Sequence, residues 1–211
     1  MSGFHLEVLP PAQQEVLRQL APFAAREGFH LAGGTALALR LGHRQSIDFD
    51  WFRRQPIAEP LQLAAELRGA VTAAGDVETA RGTLHASVAG VKVSFFEYPY
   101  PLLLPLQTWE PFGCPLASLE DLASMKVAAV SQRGARKDFI DLYALLQAGL
   151  ALPELLALYR RRFQVQEVGH VLASLTYFDD AEQEPMPVML RDWRWDQVKA
   201  ALQREVRTLM G

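Results

Sequence analysis

The segment over residues 29–52 constrains the fold more than any other part of the chain. A short apolar run ends in Gly33-Gly34, a stretch with helical spacing continues to Gly42, and an alternation of polar and apolar residues begins at Ser46. Glycine after an apolar run permits a tight turn, and a later glycine is a common helix stop. The segment therefore predicts a strand, a glycine turn, a helix and a second strand in that order.

The rest of the N-terminal half continues this mixture of helices and strands. Apolar spacing predicts two helices and two strands, over 11–27, 60–74, Val77–Thr83 and Leu84–Phe96. Gly82 and Gly90 are predicted to lie at turns or bulges. The proline-rich stretch 99–115 is predicted to be a connection with some extended structure, and we place a domain boundary there.

The C-terminal half is predicted to be helical throughout. Ser118 and Asp121 match a capping box with aspartate in the fourth position, and they open a helix that Gly134 ends. Further helices are predicted from Arg136 to Gly149 and over 153–163, 166–176 and 193–210. We therefore predict two domains, with the sheet in residues 1–115 and only helices in residues 116–211.

Composition excludes several classes of protein. Half of the residues are hydrophobic and 21% are charged, which is ordinary for a globular protein and excludes a disordered or collagen-like chain. No apolar run approaches the roughly 18–20 residues of a membrane span, and the first residues lack a signal-peptide pattern. We therefore expect a cytoplasmic protein with no membrane partner. Cys114 is the only cysteine, which excludes an internal disulfide.

The distribution of charge bears on the ligand. The net charge of −3 argues against a general coat for nucleic acid, because such binding needs many cations, and no DNA partner is predicted. From Lys126 to Arg162, however, seven Lys and Arg residues stand against three acids, a local balance of +4. This segment suits a polyphosphate or a short stretch of RNA, with a solvated helix face as the structural alternative.

The glycine turn has the elements of a phosphate site. Gly33 and Gly34 let backbone amides approach a ligand closely, and the helix that follows directs its N–H groups and positive dipole end outward. Thr35 adds a hydroxyl. Many helices begin in this way for structural reasons alone, so the turn is weak evidence by itself.

Two carboxylates on the next strand strengthen this interpretation. Asp48 and Asp50 are two residues apart, so on a strand they point to the same face, about 6–7 Å apart between Cα atoms. Like charges at this distance repel each other. A divalent cation with oxygen ligands relieves the repulsion, and Mg²⁺ prefers one or two carboxylates together with substrate phosphates. The sequence therefore predicts a Mg²⁺ site, with Mn²⁺ as the second choice of ion and two solvated acids as the structural alternative.

These residues carry a resemblance to a known family. The run LAGGTALALRLGHRQSIDFDWF resembles the signature of the polymerase-β-like nucleotidyltransferases, a glycine-glycine-Ser/Thr turn followed by DxD. More narrowly, it resembles the AbiEii/AbiGii toxin family, and the segments 119–145 and 175–187 are similar to two further blocks of that family. The resemblance implies an α+β fold, with a polymerase-β-like nucleotidyltransferase domain, a small mixed sheet flanked by helices, and then an all-helical C-terminal domain.

The resemblance also implies roles for individual residues. Asp48 and Asp50 would bind the metal, Lys126 would contact the phosphates, and Asp138 would be a further catalytic or orienting acid. The remaining residues implied to bind the nucleotide are Gly33, Gly34, Thr35, Arg44, Ser46, Arg133, Lys137 and Asp141. The alternatives are a solvated helix lysine for Lys126, and for the two later acids a local ion-pair network with Arg136 and Lys137.

One position departs from the superfamily pattern. Many of its enzymes place a third carboxylate on the next strand, facing the first two. If Val91, Val93 and Phe95 face the core, Ser94 occupies the position of the third carboxylate. Glu97, three residues later, then points to the opposite face of the sheet. The second metal ion that such an acid helps to hold in the superfamily then lacks this ligand, and Lys92 is predicted to meet a phosphate instead.

The resemblance implies a nucleotidyltransferase that moves a nucleotide from Mg-NTP to an acceptor, with tRNA or another RNA as the candidate. It also implies the toxin of a toxin–antitoxin or phage-defence pair, with a cognate antitoxin as partner. A nucleotide- or RNA-binding relative with weak catalysis is the alternative, and a small-molecule or protein acceptor stays open.

Overall fold

The computed structural model describes residues 3–211 and shows one mixed sheet of seven strands. Their order across the sheet is β3-β4-β5-β2-β1-β7-β6. The pairs β2/β5 and β1/β7 are parallel, and the other neighbours are antiparallel. The strands are β1 His30–Ala32, β2 Phe49–Arg53, β3 Ala74–Ala80, β4 Thr83–Val88, β5 Val91–Glu97, β6 Gln107–Trp109 and β7 Cys114–Leu116.

Helices flank this sheet and make up the C-terminal part. They are α1 Pro11–Arg26, α2 Gly33–Leu41, α3 Pro60–Ala70, α4 Leu119–Gln132, α5 Arg136–Gln147, α6 Leu152–Phe163, α7 Gly169–Ser174, α8 Asp179–Glu182 and α9 Trp195–Met210. Ser118 caps α4 by accepting a hydrogen bond from the backbone N–H of Asp121. The predicted α+β class with a helical C-terminal region is confirmed. The division into two domains stays a prediction, and β7 spans its proposed boundary.

The hairpins of the sheet differ from the sequence prediction. The predicted strand Leu84–Phe96 is two strands, β4 and β5, joined by a two-residue turn at Ala89-Gly90. Both turn residues have positive φ, 47° and 79°, as the tight turns of hairpins require. The prediction that Gly90 lies at a turn or bulge is therefore correct, and the length predicted for the strand is wrong.

The strand that carries the aspartates is also shorter than predicted. It begins at Phe49 instead of Ser46, because the residues before it make other backbone bonds. Gln45 N–H donates to the carbonyl of Val188, and Ser46 N–H donates to the carbonyl of Val8. The consequence is that Asp48 lies one residue before the strand.

One face of the sheet packs on an aromatic core. The ring of Phe95 lies 5.7 Å from Phe23 of α1 and 5.0 Å from Phe29, and it stacks on Trp51 at 6.4 Å between centroids. Because side chains alternate along a strand, the residues next to Trp51 and Phe95 in sequence point to the opposite face of the sheet. On that face α4 and α5 pack against α2, which brings the helical residues over the glycine turn.

No single helix in residues 3–211 is long and apolar enough to cross a membrane. By length and composition, α5 and α6 pass that test only as a pair, and the chain bends by 116° between them.

Candidate active site

The two glycines after β1 permit a close approach of three chain segments. Gly33 has a φ of +65°, and a Cβ built on it would lie 3.0 Å from Oδ2 of Asp50. A Cβ on Gly34 would lie 2.6 Å from Nη2 of Arg44. A side chain at either position would displace a charged group, so glycine is needed at both. The N-terminus of α2 is thereby held beside Asp50, which is paired in register with Ala32.

Thr35 ties the start of α2 to the segment before β2. Its hydroxyl lies 2.6 Å from the hydroxyl of Ser46 and donates to the backbone carbonyl of Asp48. Thr35 and Ser46 are both buried. Although both side chains reach the cavity described below, their hydroxyls already bond each other and the backbone, so their visible effect is to fix the position of Asp48.

Asp48 and Asp50 line the same cavity and keep their carboxylates free of counter-ions. Across residues 3–211 neither acid forms a salt bridge with any other residue. Burial raises the pKa of Asp50, and the charge of Asp48 adds to this, whereas Lys126 opposes it. An ionised pair of this kind is stabilised by a bound cation.

The donor set fits a magnesium ion that completes its shell with phosphates. Within the described chain no group of three or more His, Cys, Asp or Glu side chains surrounds a common point. An all-protein cage for a metal is therefore not formed here. Two carboxylates beside a phosphate-sized cradle are the arrangement in which Mg²⁺ keeps its remaining positions for substrate oxygens and water.

Beneath the helical side of the cavity lies an ion network, which we define as Arg44, Lys126, Arg133, Asp138 and Asp141 and of which Arg133 alone is exposed. Lys126 Nζ lies 3.0 Å from Asp138 and 2.6 Å from Asp141. Arg44 donates two hydrogen bonds to Asp141, at 2.7 and 2.9 Å, and Arg133 does the same to Asp138. Both carboxylates are completely buried.

The charges of this network are balanced internally. Burial would raise the pKa of Asp141, yet Arg44 and Lys126 outweigh it and hold that pKa well below its usual value. The pKa of Asp138 is lowered in the same way by Lys126 and Arg133. The pKa of Lys126 is raised, because the two acids overcome its burial. All members of the network therefore stay ionised near neutral pH.

The alternative of an ion-pair network of the two acids with Arg136 and Lys137 is wrong. Arg136 bonds instead to the backbone carbonyls of Ala181 and Glu182, while Lys137 points to the cavity. The alternative of a solvated Lys126 is also wrong, because its side chain is only 5% exposed. The partners of the two acids come from α4 and from the segment before β2, nearly a hundred residues earlier in the chain.

The cavity between sheet and helices has a volume of about 780 Å³. The sequence-predicted residues that line it are Gly33, Gly34, Thr35, Arg44, Ser46, Asp48, Asp50, Lys92, Lys126, Arg133 and Lys137. Asp138 and Asp141 do not line it. They lie below, where they hold the cations that do, so the structure places them to position Lys126, Arg44 and Arg133.

One side of the cavity is an aromatic wall that the sequence analysis did not identify. We define it as Phe52, Phe96, Tyr98, Tyr100 and Phe163. In the order Phe96, Phe52, Tyr98, Tyr100 and Phe163, neighbouring ring centroids lie 5.1, 5.4, 4.9 and 4.7 Å apart, and all five residues line the cavity. A sequence signal existed for the first two, since alternation along β2 and β5 places them on the face of Asp50.

The strand next to β2 carries a hydroxyl where a third acid was sought. Ser94 is paired in register with Asp50, and its hydroxyl lies 2.9 Å from Nδ1 of His85 on β4. Glu97 accepts a hydrogen bond from the backbone N–H of Ile57 at 3.3 Å. His85 also lines the cavity, and it is a second residue that sequence reasoning missed.

The sequence and the fold are similar to those of known proteins. The family model described as the nucleotidyl transferase AbiEii toxin of type IV toxin–antitoxin systems matches residues 15–208. The chain belongs to the AbiEii nucleotidyl transferase toxin family. An uncharacterised protein of Aquifex aeolicus is 33% identical to it over 207 residues, which is 94% of this chain and 96% of the relative.

Two solved structures share the fold of this AbiEii-family chain. A putative nucleotidyltransferase from H. pylori superposes with a TM-score of 0.59 at 15% identity, covering 93% of this chain and 92% of the other. MenT4, a nucleotidyltransferase toxin from Mycobacterium tuberculosis, superposes with a TM-score of 0.54 at 16% identity, covering 94% and 82%. At these identities the likeness establishes the fold alone, which is that of nucleotidyltransferases.

Proposed function

We propose that this protein transfers a nucleotide from Mg-NTP to a hydroxyl group of an RNA acceptor. One observation carries the proposal: two carboxylates without counter-ions face a cavity whose opposite side presents the buried cations Lys126 and Arg44. Such a cavity offers separate places for a metal and for a polyphosphate. Family membership and the shared fold support the same reaction class.

Each part of the site has a place in this reaction. The acceptor oxygen attacks the α-phosphorus while the bond to the β-phosphate oxygen breaks, and pyrophosphate leaves. The amide groups at Gly33 and Gly34 and the side chains of Lys126 and Arg133 neutralise the phosphates and fix their orientation. A magnesium ion held by Asp48 and Asp50 would supply further charge neutralisation at the phosphates.

The aromatic wall supports an RNA acceptor over a small molecule. Unstacked bases of single-stranded RNA bind to aromatic faces, and each such contact is worth about 1–3 kcal/mol. Tyr100 in this wall is 40% exposed, so its ring is available to an incoming base. The 3′ end of a tRNA is single-stranded and carries a free hydroxyl, and we propose it as the acceptor class.

The family assignment supports a biological setting for this activity. Members are described as toxins of type IV toxin–antitoxin systems. We propose that nucleotide transfer by this protein damages the RNA of its own cell and that a cognate antitoxin restrains it.

The test is incubation of the protein with α-labelled NTPs, Mg²⁺ or Mn²⁺, and total tRNA. Wild-type protein is expected to label the RNA, and chelation of the metal is expected to abolish labelling. The substitution Tyr100→Ala should raise the KM for RNA more than the KM for NTP. If the wild type labels no RNA under any of these conditions, the proposal fails.

A second candidate is a nucleotide-binding relative with weak catalysis, which Ser94 favours because it replaces a carboxylate. Calorimetric titration with Mg-NTP separates the two candidates. Tight binding without any product supports the binding protein, whereas turnover supports the transferase.

A further inference from the structure

Three neighbouring strands place a row of polar side chains across the floor of the cavity. Asp50 on β2 is paired with Ser94 on β5, which is paired in turn with His85 on β4. Adjacent strands are about 4.8 Å apart, so the imidazole lies two strands away from the carboxylate that we assign to the metal. All three side chains line the cavity.

We propose that His85 is the general base that takes the proton from the acceptor hydroxyl, and that Ser94 positions it. This assignment deepens the proposed function and rests on it. In this row on β2, β5 and β4, the carboxylate of Asp50 would bind the metal of the nucleotide, and the imidazole of His85 would accept the proton of the acceptor hydroxyl.

The hydrogen bond to Ser94 determines which ring nitrogen is available. If Nδ1–H donates to the serine hydroxyl at 2.9 Å, then Nε2 carries the free lone pair that a base requires. The ring is held in addition by an edge-to-face contact with Phe96, at 5.7 Å and 77°. Both contacts orient the imidazole without using Nε2.

The proton and electron balance of the step is simple. Nε2 takes the proton of the acceptor O–H as the oxygen lone pair forms the new bond to the α-phosphorus. The bond from the α-phosphorus to the bridging oxygen breaks, and its electron pair leaves with pyrophosphate. The imidazolium then returns its proton to water, so no other reactant is consumed.

Other groups near the acceptor side are less suited to this role. The Glu97 carboxylate already accepts a backbone hydrogen bond, and Lys92 is a cation near neutral pH. Asp138 and Asp141 are fully buried beneath cations. Among the residues of 3–211 that line the cavity, His85 is the one histidine, and histidine is the side chain that most often serves as a general base in enzymes.

Charged groups from several elements surround this imidazole. Glu78 on β3 is its partner across the β3/β4 ladder, and Lys92 lies two residues from Ser94 on β5. Asp48 and Asp50 approach from the β2 side, and Arg133 and Lys137 face the cavity from the helices.

The test compares single-turnover transfer from α-labelled NTP to tRNA by wild type and His85→Asn over pH 5–9. Asparagine keeps a donor for Ser94 but has no basic nitrogen. The expected result is a loss of about 100-fold in rate at neutral pH, with Mg-NTP affinity unchanged within about 2-fold. The wild-type rate should rise with pH, as general-base catalysis requires, and this rise should be absent from the variant.

Two further variants guard against a purely structural effect. His85→Ala should recover part of its activity when free imidazole is added, which a packing role would not allow. Ser94→Ala should slow transfer by less than His85→Asn and shift the pH at which the rate rises. His170→Asn, at an exposed histidine on α7, is the matched control and should behave as wild type.

The outcomes separate this assignment from the proposed function. An active wild type together with a His85→Asn variant of equal rate, or of unchanged pH profile, would overturn the role of His85 alone. Transfer by neither protein would overturn the proposed function and this assignment with it. A loss of Mg-NTP affinity equal to the loss of rate would overturn the assignment by showing that His85 binds the nucleotide.

Discussion

The acids on the two sides of the cavity are held in opposite ways. On the sheet side, Asp48 and Asp50 have no counter-ion from any part of the described chain, and the pKa of Asp50 is raised. On the helical side, Asp138 and Asp141 are saturated by three cations, and their pKa values are lowered. The difference indicates that the first pair can bind a positively charged ligand, whereas the second pair is neutralised by cations of the protein itself.

The largest expected effect comes from neutralising the sheet-side acids. Asp50→Asn, or Asp48→Asn, should reduce the transfer rate by about 10³-fold, because charge neutralisation at the phosphates is lost with the metal. The unfolding free energy of Asp50→Asn should exceed that of wild type at pH 7, because the charged form of Asp50 destabilises the fold above its raised pKa.

That gain in stability should disappear as the pH falls through the raised pKa of Asp50 towards 3.8. Transfer assays and urea denaturation at several pH values measure both effects. A variant that keeps full activity, or one that loses stability at pH 7, contradicts the assignment of a cation to these acids.

The next largest effect is expected on stability, from a substitution on the helical side of the cavity. Asp141→Asn leaves Lys126 and Arg44 buried without their shared partner and should cost about 3–5 kcal/mol of unfolding free energy. Asp196→Asn, whose carboxylate is 77% exposed in its pair with Lys199, should cost less than about 1 kcal/mol.

The stability difference between wild type and Asp141→Asn has a defined pH dependence. The folded pKa of Asp141 is lowered, so the wild-type advantage is complete above 3.8 and is lost as the pH falls through that lowered value. Chemical denaturation of both proteins between neutral and acidic pH tests this sign. Equal stability of the two proteins at pH 7 would show that the network contributes nothing.

Two buried histidines also differ in whether they have a partner, and this difference leads to a third prediction. Nε2–H of His43 donates to the ionised Asp141 at 2.7 Å, whereas Nε2 of His30 has no hydrogen-bond partner in the described structure. Burial lowers the pKa of His30 from 6.5 to about 4. Stability from this group is therefore complete above 6.5 and is lost as the pH falls towards 4, by up to about 3 kcal/mol.

His30→Gln should remove this dependence, so that its unfolding free energy changes less than that of wild type between pH 6.5 and 4. The exposed His170→Gln serves as control and should follow the wild-type curve. Parallel curves for wild type and His30→Gln would contradict the prediction.

The smallest effect is expected at the edge of the cavity. Lys92 is exposed and lines the cavity beside the sheet-side acids, and Lys92→Gln should raise the KM for NTP about 3-fold while kcat is unchanged. Arg68→Gln on α3, an exposed cation outside the cavity, is the matched control. A fall in kcat would instead assign Lys92 to the transition state.

Local sequence was enough to predict the parts of the site that depend on neighbours in the chain. Gly33-Gly34 and the Asp48/Asp50 spacing are features of single elements, and short-range sterics decide them. The pairing of Asp141 with Arg44 depends on how α5 packs on α2 across nearly a hundred residues. No periodicity specifies that contact, so the sequence analysis named these residues without placing them together.

His85 shows how a strand predicted too long concealed a site residue. A two-residue hairpin at Ala89-Gly90 fixes the register of β4 and β5, and this register places His85 directly opposite Ser94. Because the sequence analysis extended one strand through the turn, the pair was not recognised. The aromatic residues Tyr100 and Phe163 had no such signal, since loop and helix packing bring them to the cavity.

The backbone bridge between Arg44 and Met189 has a consequence for the order in which the site is made. The glycine turn and the aspartates leave the ribosome early, the cations of α4 and α5 follow, and the segment that pairs with Arg44 comes only after α8. A nascent or truncated chain would therefore expose the carboxylates without the cations of α4 and α5. It would also lack residues 186–188, which line the cavity. For a protein whose activity we propose to be harmful, the site would be complete only after the segment at Met189 has been made.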